Sequence, residues 1–323
     1  MKIGLVTILY DEKPLNEVAK YISGLGYEMV ELPAWKGTNH FDLDCCLQDK
    51  SYGKQLKAML AGYGLEISAL SNHVAGQLVL SNTDPTMNGW APGMDDQEKV
   101  AYGIREMKKT AQAAAELEIP VVCGFVGSNV WDSWYIWPPE HEKLYDQGWE
   151  TFAERWNDIL DTFKEYGIKF ALEVHPRQIA YNVETAQKAI DMLGGRVEFG
   201  FNFDPSHLVW QMIDPVIFIK TFGSRIYHCH AKDSEIQEDE VHRSGVIPTG
   251  GWMRPDRGFR FRVPGWGNVP WKRVMTALAT VGYDYVLSYE HEDPVMSRED
   301  GCEKAIEYLR PLIIKKRLEQ VWW

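Results

Sequence analysis

The chain has 323 residues with a formal net charge of −12. Because no basic stripe offsets this acidity, nucleic acid and anionic membrane surfaces are excluded as expected partners. Because the first residues lack an apolar run and a cleavage site, we expect no signal peptide, and no apolar run in the sequence reaches the roughly 20 residues that span a bilayer. The five cysteines lack paired CxxC spacing, which is typical of reduced thiols, so we expect a cytoplasmic protein.

Short β-branched runs alternate with longer helical patterns along the whole chain. Strands are predicted at residues 3–8, 29–33, 67–71, 121–126, 170–174, 198–203, 226–230 and 285–289. Helices are predicted at residues 15–25, 52–63, 97–117, 148–166, 183–193, 215–222, 271–281 and 297–319. Eight strand-then-helix units without a break in composition predict an α/β fold, a single (β/α)₈ TIM barrel domain over residues 1–323.

Two connections, residues 127–147 and 233–268, are longer than the usual loops between a strand and its helix. Both follow predicted strands four and seven, so they belong to the face on which such barrels place their active sites. The first contains Trp131, Trp134, Tyr135 and Trp137, and the second mixes aromatic residues with five arginines. We interpret them as an aromatic-walled entrance with cationic donors, with an oligomer contact as the alternative.

Four ionisable side chains stand at the ends of four successive predicted strands: Glu173, Asp204, His230 and Glu290. Burying three carboxylates beside one imidazole is too costly unless a cation neutralises them. A ligand set of three carboxylates and one imidazole, without a thiolate, favours Mn²⁺, with Mg²⁺ or Co²⁺ as alternatives. The sequence therefore predicts a divalent metal site at the mouth of the barrel.

The segments around these residues read LEVHP, FNFDPSHL, HAKD and YEHED. With them, the chain resembles the xylose-isomerase-like barrel family, the sugar phosphate isomerase/epimerase superfamily that includes the ketose 3-epimerases. The resemblance implies that the four residues bind the metal and that two of them, Glu173 and Glu290, move protons. It also implies that His207 and Lys232 contact substrate oxygens.

The chemistry of such a site agrees with the resemblance. A divalent ion that chelates a carbonyl and its neighbouring hydroxyl acidifies the adjacent C–H bond and stabilises the enediolate that forms. Two flanking carboxylates could take a proton from one side and return it on the other. We therefore predict a metal-dependent enzyme that removes a proton beside the carbonyl of a keto sugar, with isomerisation or epimerisation as the outcome.

Further candidate substrate-binding residues are His73, Trp137 and Arg262, and His141 is a candidate general base because an unperturbed imidazole titrates at about 6.5. A solvent-exposed loop histidine is the alternative for His141. The tryptophan-rich loop and His141 resemble the catalytic barrel subunit of the C-glycoside deglycosidases. That resemblance implies a lyase in which His141 starts the elimination of an aromatic aglycone from a carbon-linked 3-oxo glucosyl group.

The partner is expected to be a small sugar or glycoside. The chain is expected to form a homo-oligomer, or a hetero-oligomer with the small second subunit that the deglycosidase resemblance implies. A non-catalytic sugar-binding subunit is the third hypothesis, which the retention of all four metal-binding side chains disfavours. The metal site alone does not choose between isomerisation, epimerisation and elimination.

Overall fold

The computed structural model describes residues 1–133, 135–139, 142–247, 249–251 and 254–316, with only the backbone of Glu142. Eight of its strands are β1 (Lys2–Val6), β2 (Met29–Pro33), β3 (Glu66–Ser71), β4 (Val121–Gly124), β5 (Lys169–Glu173), β6 (Phe199–Phe203), β7 (Ile226–Ala231) and β10 (Val286–Tyr289). They pair in parallel and close into a barrel in the order β1-β10-β7-β6-β5-β4-β3-β2. The predicted (β/α)₈ barrel is confirmed.

Helices surround the barrel or lie in its loops. They are α1 (Leu15–Leu25), α2 (Leu43–Gln48), α3 (Lys50–Ala61), α4 (His73–Leu80), α5 (Asp96–Glu116), α6 (Glu142–Tyr166), α7 (Val183–Met192), α8 (Pro205–Val209), α9 (Pro215–Phe222), α10 (Glu238–Ser244), α11 (Trp271–Thr280) and α12 (Arg298–Leu309). Among the described residues, none of these helices is long and apolar enough to cross a membrane.

The sequence explains where the helices begin, end and pack. Asp95 accepts hydrogen bonds from the first turn of α5 while Glu98 reaches back to the Asp95 N–H, a capping box that satisfies otherwise unpaired donors. At the end of α1, Gly26 takes a left-handed φ of 94°, which a residue without a Cβ adopts at no steric cost. Val18 and Ile22 on α1 are buried, and each such side chain contributes roughly 1.5–3 kcal/mol to folding.

The predicted helix at residues 297–319 was wrong in its C-terminal part. The helix α12 ends at Leu309 and is followed by a 3₁₀ turn at Arg310–Leu312. Pro311 lies in that turn, and since proline lacks an N–H and clashes with the preceding turn, the α-helix stops there. The tail Val321-Trp322-Trp323 lies outside the described residues.

The second long loop folds over the face of the barrel that carries the strand C-termini. Within it, β8 (Asp233–Ile236) and β9 (Phe259–Arg262) form an antiparallel hairpin that the sequence did not predict. Asp233 anchors the hairpin, because its carboxylate accepts hydrogen bonds from the Gly265 and Val269 N–H groups and from Trp271 Nε1, each at 2.9 Å. The side chains of β9 are thereby held beside the strand ends.

Candidate active site

The structure brings Glu173, Asp204, His230 and Glu290 together. Each offers one ligand atom, and these four atoms all lie within 4.8 Å of one another. Glu173 and His230 belong to β5 and β7, while Asp204 and Glu290 directly follow β6 and β10. Since the C-terminal ends of parallel barrel strands meet on one face, four residues distant in sequence form one cluster. Glu290, with 20% of its side chain exposed, opens the cluster towards the mouth.

Local structure aims two of these groups inward. Asp204 caps α8, because its Oδ1 accepts a 2.8 Å hydrogen bond from the Ser206 N–H, and this leaves Oδ2 facing the cluster. His230 Nδ1 lies 3.3 Å from Glu173 Oε2 and 3.2 Å from Glu290 Oε2. Among the described residues, neither Asp204 Oδ2 nor His230 Nδ1 has a hydrogen bond of good geometry, although the Lys232 ammonium lies 3.1 Å from Asp204 Oδ2. Buried oxygen and nitrogen atoms that converge in this way fit a divalent cation.

The pKa values of the clustered carboxylates also favour a bound cation. Burial, together with the neighbouring Glu173 and Glu290 carboxylates, raises the pKa of Asp204 to about 7 even though Lys232 opposes the shift. Burial would also raise the pKa of Glu173, but His230 and other imidazoles hold that pKa well below its usual range. The protein's own cations therefore do not suffice to keep all the carboxylates ionised at neutral pH, and a divalent ion would make up the difference.

Lys232 is buried inside the carboxylate cluster. Its ammonium nitrogen lies 2.6 Å from Glu290, 3.1 Å from Asp204 and 3.1 Å from Glu292, and 4.8 Å from the centre of the Phe261 ring. Burial would lower the pKa of Lys232, but these carboxylates raise it well above its ordinary value, so the side chain stays charged. Lys232 thus lies at the site, and its predicted contact with substrate stays a prediction.

Two imidazoles hold the carboxylate of Glu173. His207 Nε2 lies 3.0 Å from Oε1, and His73 Nε2 lies 3.1 Å from Oε2. Burial, Lys232 and the neighbouring His175 push the pKa of His207 well below its usual value, so its ring is neutral. His175 packs against His207 with ring centres 4.1 Å apart and hydrogen-bonds to the Pro176 carbonyl. The predicted substrate contacts of His73 and His207 stay predictions.

The remaining predicted residues are not members of the cluster, and some of them lie outside the described residues. Trp137 is 73% exposed on the loop after β4. Arg262 is buried in ion pairs with Glu235 at 2.5 Å and Asp293 at 2.9 Å, so it links the hairpin to the loop after β10. Its predicted role in substrate binding stays a prediction. His141, Trp134 and Trp252 lie outside the described residues.

One residue of this region was not predicted. Glu31, on β2, is fully buried, and its Oε2 lies 3.0 Å from His230 Nε2 and 3.6 Å from His228 Nε2. Burial would raise the pKa of Glu31, but these two histidines lower it to about 2. A single carboxylate inside the apolar strand Met29–Pro33 was the signal that could have revealed it.

The sequence also matches a known family. Residues 19–312 match the family described as Xylose isomerase-like TIM barrel. The match covers most of the chain, and the chain therefore belongs to this family of barrels.

Two curated relatives are similar in sequence. The uncharacterized protein YfiH of Bacillus subtilis (strain 168) is 28% identical over 327 residues, which is 97% of this chain and 99% of the relative. An inosose dehydratase of Clostridium perfringens (strain ATCC 13124) is 26% identical over 170 residues. That second alignment covers 52% of this chain and 56% of the dehydratase, so it spans about half of each protein.

Solved structures share the fold. The IOLI protein with a bound zinc atom superposes with a TM-score of 0.67 at 18% identity, over 97% of this chain and 98% of that one. The 3-keto-D-glucoside 4-epimerase YcjR from E. coli gives a TM-score of 0.67 at 13% identity, over 96% of this chain and 99% of that one. At these identities the likeness shows the barrel fold alone.

Proposed function

We propose that the chain is a divalent-metal-dependent enzyme that removes a proton from the carbon next to the carbonyl of a keto sugar. The observation that carries the proposal is the convergence of Glu173, Asp204, His230 and Glu290 within 4.8 Å. Isomerisation or epimerisation is the proposed outcome. The relatives support the substrate class, because they include an inosose dehydratase and a 3-keto-D-glucoside 4-epimerase.

Mn²⁺ is the proposed ion, with Mg²⁺ or Co²⁺ as alternatives. Three carboxylates and one imidazole form a hard, mainly oxygen ligand set, which suits these ions better than a thiolate site would. A zinc atom bound to the IOLI protein supports a metal in this fold, although not the choice of ion. When bound, the ion would supply Lewis-acid polarisation of a substrate carbonyl and its neighbouring hydroxyl.

The protein's own side chains would move the proton. Glu173 and Glu290 both approach His230 Nδ1, at 3.3 and 3.2 Å, so both can face a substrate held at this point. One carboxylate takes the proton from the carbon, and the other returns a proton to the opposite face or to the neighbouring carbon. His207 and His73 orient Glu173, and the Lys232 ammonium stabilises negative charge that develops on a substrate oxygen.

A second candidate is the lyase that cleaves the C–C bond of a 3-oxo-C-glycoside. The lyase begins with the same proton abstraction as the isomerase or epimerase, but an aromatic aglycone is then eliminated. It is favoured by a cavity of about 130 Å³ beside the site, whose lining includes Phe259, Phe261, Arg257 and Glu292. Glu292 contacts Lys232 at 3.1 Å, so this cavity adjoins the carboxylate cluster and could take one ring of an aromatic aglycone. His141 would then be the base, with a small second subunit as partner.

A cytoplasmic location is part of the proposal. It is supported by the five cysteines, all of which are free thiols. A homo-oligomer is proposed for the isomerase or epimerase.

Incubation in D₂O tests the proposal and separates its two outcomes. The Mn²⁺-loaded protein is mixed with a ketohexose, and separately with a 3-oxo-C-glucosyl flavonoid, and followed by NMR and mass spectrometry. Deuterium at the carbon beside the carbonyl, together with a new sugar isomer, is expected from the ketohexose and is lost in Asp204→Asn. Release of free flavonoid, abolished in His141→Ala, would instead establish the lyase. Ketohexose turnover unaffected by His141→Ala, without flavonoid release, would exclude the lyase.

A further inference from the structure

The two nitrogens of His230 face different carboxylates. Nδ1 faces Glu173 and Glu290 of the cluster, whereas Nε2 lies 3.0 Å from Oε2 of Glu31, which belongs to β2 across the barrel interior. In the neutral ring that a metal binds, an imidazole that donates its Nε2–H to a carboxylate carries its free lone pair on Nδ1. The contact with Glu31 therefore selects the tautomer that can bind a metal on the side of the cluster.

We propose that Glu31 is a positioning residue that fixes the tautomer and the orientation of His230 for metal binding. This inference rests on the proposed metal-dependent function. A carboxylate on the second nitrogen of a metal-binding histidine holds the ring in place and strengthens the other nitrogen as a ligand. Among the described residues, Glu31 pairs with His228 and His230 and is not one of the four side chains of the cluster, so it acts through His230.

The sheet geometry explains how Glu31 reaches His230. The pairing of β2 with β3 shifts register between Val30 and Glu31, an irregularity that can redirect a side chain. On the other side, Ser288 pairs with His230 in adjacent strands and donates a 3.2 Å hydrogen bond to the same Glu31 oxygen. One carboxylate oxygen thus connects β2, β7 and β10 below the cluster.

The energetic cost of this residue supports a role beyond packing. Within the described part of the chain, Glu31 forms ion pairs with His228 and His230 and not with a lysine or an arginine. Its Oε1 is buried without a hydrogen-bond partner among the same residues. A fully buried carboxylate must be compensated by its neighbours, here two imidazoles and the Ser288 hydroxyl, whereas a leucine would pack there without that requirement. A cation on Nδ1 of His230 would strengthen the hydrogen bond from Nε2 and offset that cost.

The main alternative is that Glu31 itself binds a second ion. Glu31, His228 and His230 offer ligand atoms that lie within 4.8 Å of one another. However, both nitrogens of His228 already have partners, since Nδ1 lies 3.0 Å from Asn202 Oδ1 and Nε2 lies 3.3 Å from Ser68 Oγ. Geometry therefore favours one ion at the cluster, with Glu31 behind its histidine.

Titration of the metal-free protein with Mn²⁺, followed by electron paramagnetic resonance of the free ion, tests the proposal. Glu31→Gln and Glu31→Leu should weaken binding by about 10- to 100-fold, with the leucine variant weaker, at an unchanged stoichiometry of one ion per chain. Glu28→Gln is the matched control. It removes a carboxylate next to the same strand, but this carboxylate accepts a hydrogen bond from the Ile3 N–H, and the variant should therefore bind Mn²⁺ like wild type. Thermal unfolding of each metal-free variant reports whether it folds.

Ser288→Ala supplies a variant that keeps the charge of Glu31 and removes one hydrogen bond to it, and about threefold weaker binding is expected. Wild-type affinity in the folded Glu31 and Ser288 variants would overturn the inference and leave the proposed function standing. Two ions per wild-type chain and one in Glu31→Gln would overturn it too, because Glu31 would then be a ligand. A wild-type protein that binds no divalent ion would overturn the proposed function and the inference together.

Discussion

The ammonium group of Lys232 lies 3.1 Å from Oδ2 of Asp204, and both side chains are buried. Glu290 and Glu292 approach the same ammonium at 2.6 and 3.1 Å. Lys232 therefore neutralises part of the negative charge that the strand ends bring together. Its loss would leave a buried, uncompensated cluster of carboxylates.

Lys232→Met should destabilise the metal-free protein by about 3–5 kcal/mol, the cost of removing one partner from a buried ion pair. Added Mn²⁺ should restore most of this loss, because the ion takes over the neutralisation of the carboxylates. Urea denaturation with and without Mn²⁺ measures both effects. Lys108→Met removes a more exposed ion pair with Asp158 and should change stability by less than about 1 kcal/mol. Equal effects of the two substitutions would contradict the charge balance described here.

Metal affinity should fall as the pH is lowered. The pKa of Asp204 is raised to about 7 and that of His230 is raised well above its usual value, so both groups hold protons in the metal-free protein below neutrality. An ion must displace these protons, and affinity should therefore drop by about 10- to 100-fold per pH unit between about pH 7 and pH 5. Above about pH 7 the ion has to displace only the His230 proton, and the dependence of metal affinity on pH should become shallower. Mn²⁺ titrations across this range measure it, and pH-independent binding would refute the prediction.

The barrel was predictable because its strands are buried on both faces and read as short apolar runs between helical patterns. The β8–β9 hairpin was not predictable. Its first pair joins Asp233 to Arg262, which are distant in sequence, and the fold of the loop between them is not determined by the local sequence. Short helices such as α8 were also missed, because they depend on a single cap and have no periodicity to detect.

The candidate site divides in the same way. The proximity of Glu173 and Asp204 was predictable, because the two residues lie at the C-terminal ends of neighbouring parallel strands. The contact between Glu31 and His230 was not, because it crosses the barrel interior and depends on the register shift in β2. The burial of Arg262 in ion pairs was likewise invisible, since both of its partners belong to other elements of the loop face.

Gln178 anchors the start of the long loop after β4. Its Oε1 accepts hydrogen bonds from the Val126 and Gly127 N–H groups at 3.0 and 2.7 Å, and its Nε2 donates to Gln77. Gln178→Leu leaves two buried N–H groups unpaired and should cost about 2–4 kcal/mol in the free energy of unfolding. The exposed Gln187→Leu on α7 is the control and should cost less than about 0.5 kcal/mol. Similar denaturation midpoints for the two variants would show that Gln178 is not an anchor.

Substitution of Trp137 should distinguish the proposed lyase from the proposed isomerase or epimerase without disturbing the fold. Because 73% of this residue is exposed, Trp137→Ala should leave the thermal unfolding temperature nearly unchanged. If a planar aglycone stacks on it, KM for the 3-oxo-C-glucosyl flavonoid should rise by about 2- to 12-fold, as expected for a lost aromatic contact of about 0.5–1.5 kcal/mol. The kinetic constants for a ketohexose in the same variant serve as the internal control. Equal losses for both substrates would argue against an aglycone contact at Trp137.

The most direct measurement is the number of Mn²⁺ ions that the metal-free protein binds, compared between wild type and Asp204→Asn. Asp204 Oδ2 is buried in the cluster, whereas the cap of α8 uses Oδ1, so the substitution should weaken a ligand and leave the cap in place. We predict one ion per wild-type chain and binding at least about 100-fold weaker in Asp204→Asn. A wild-type chain that binds no divalent ion, or an Asp204→Asn variant that binds as tightly, would contradict a metal centre at these four residues.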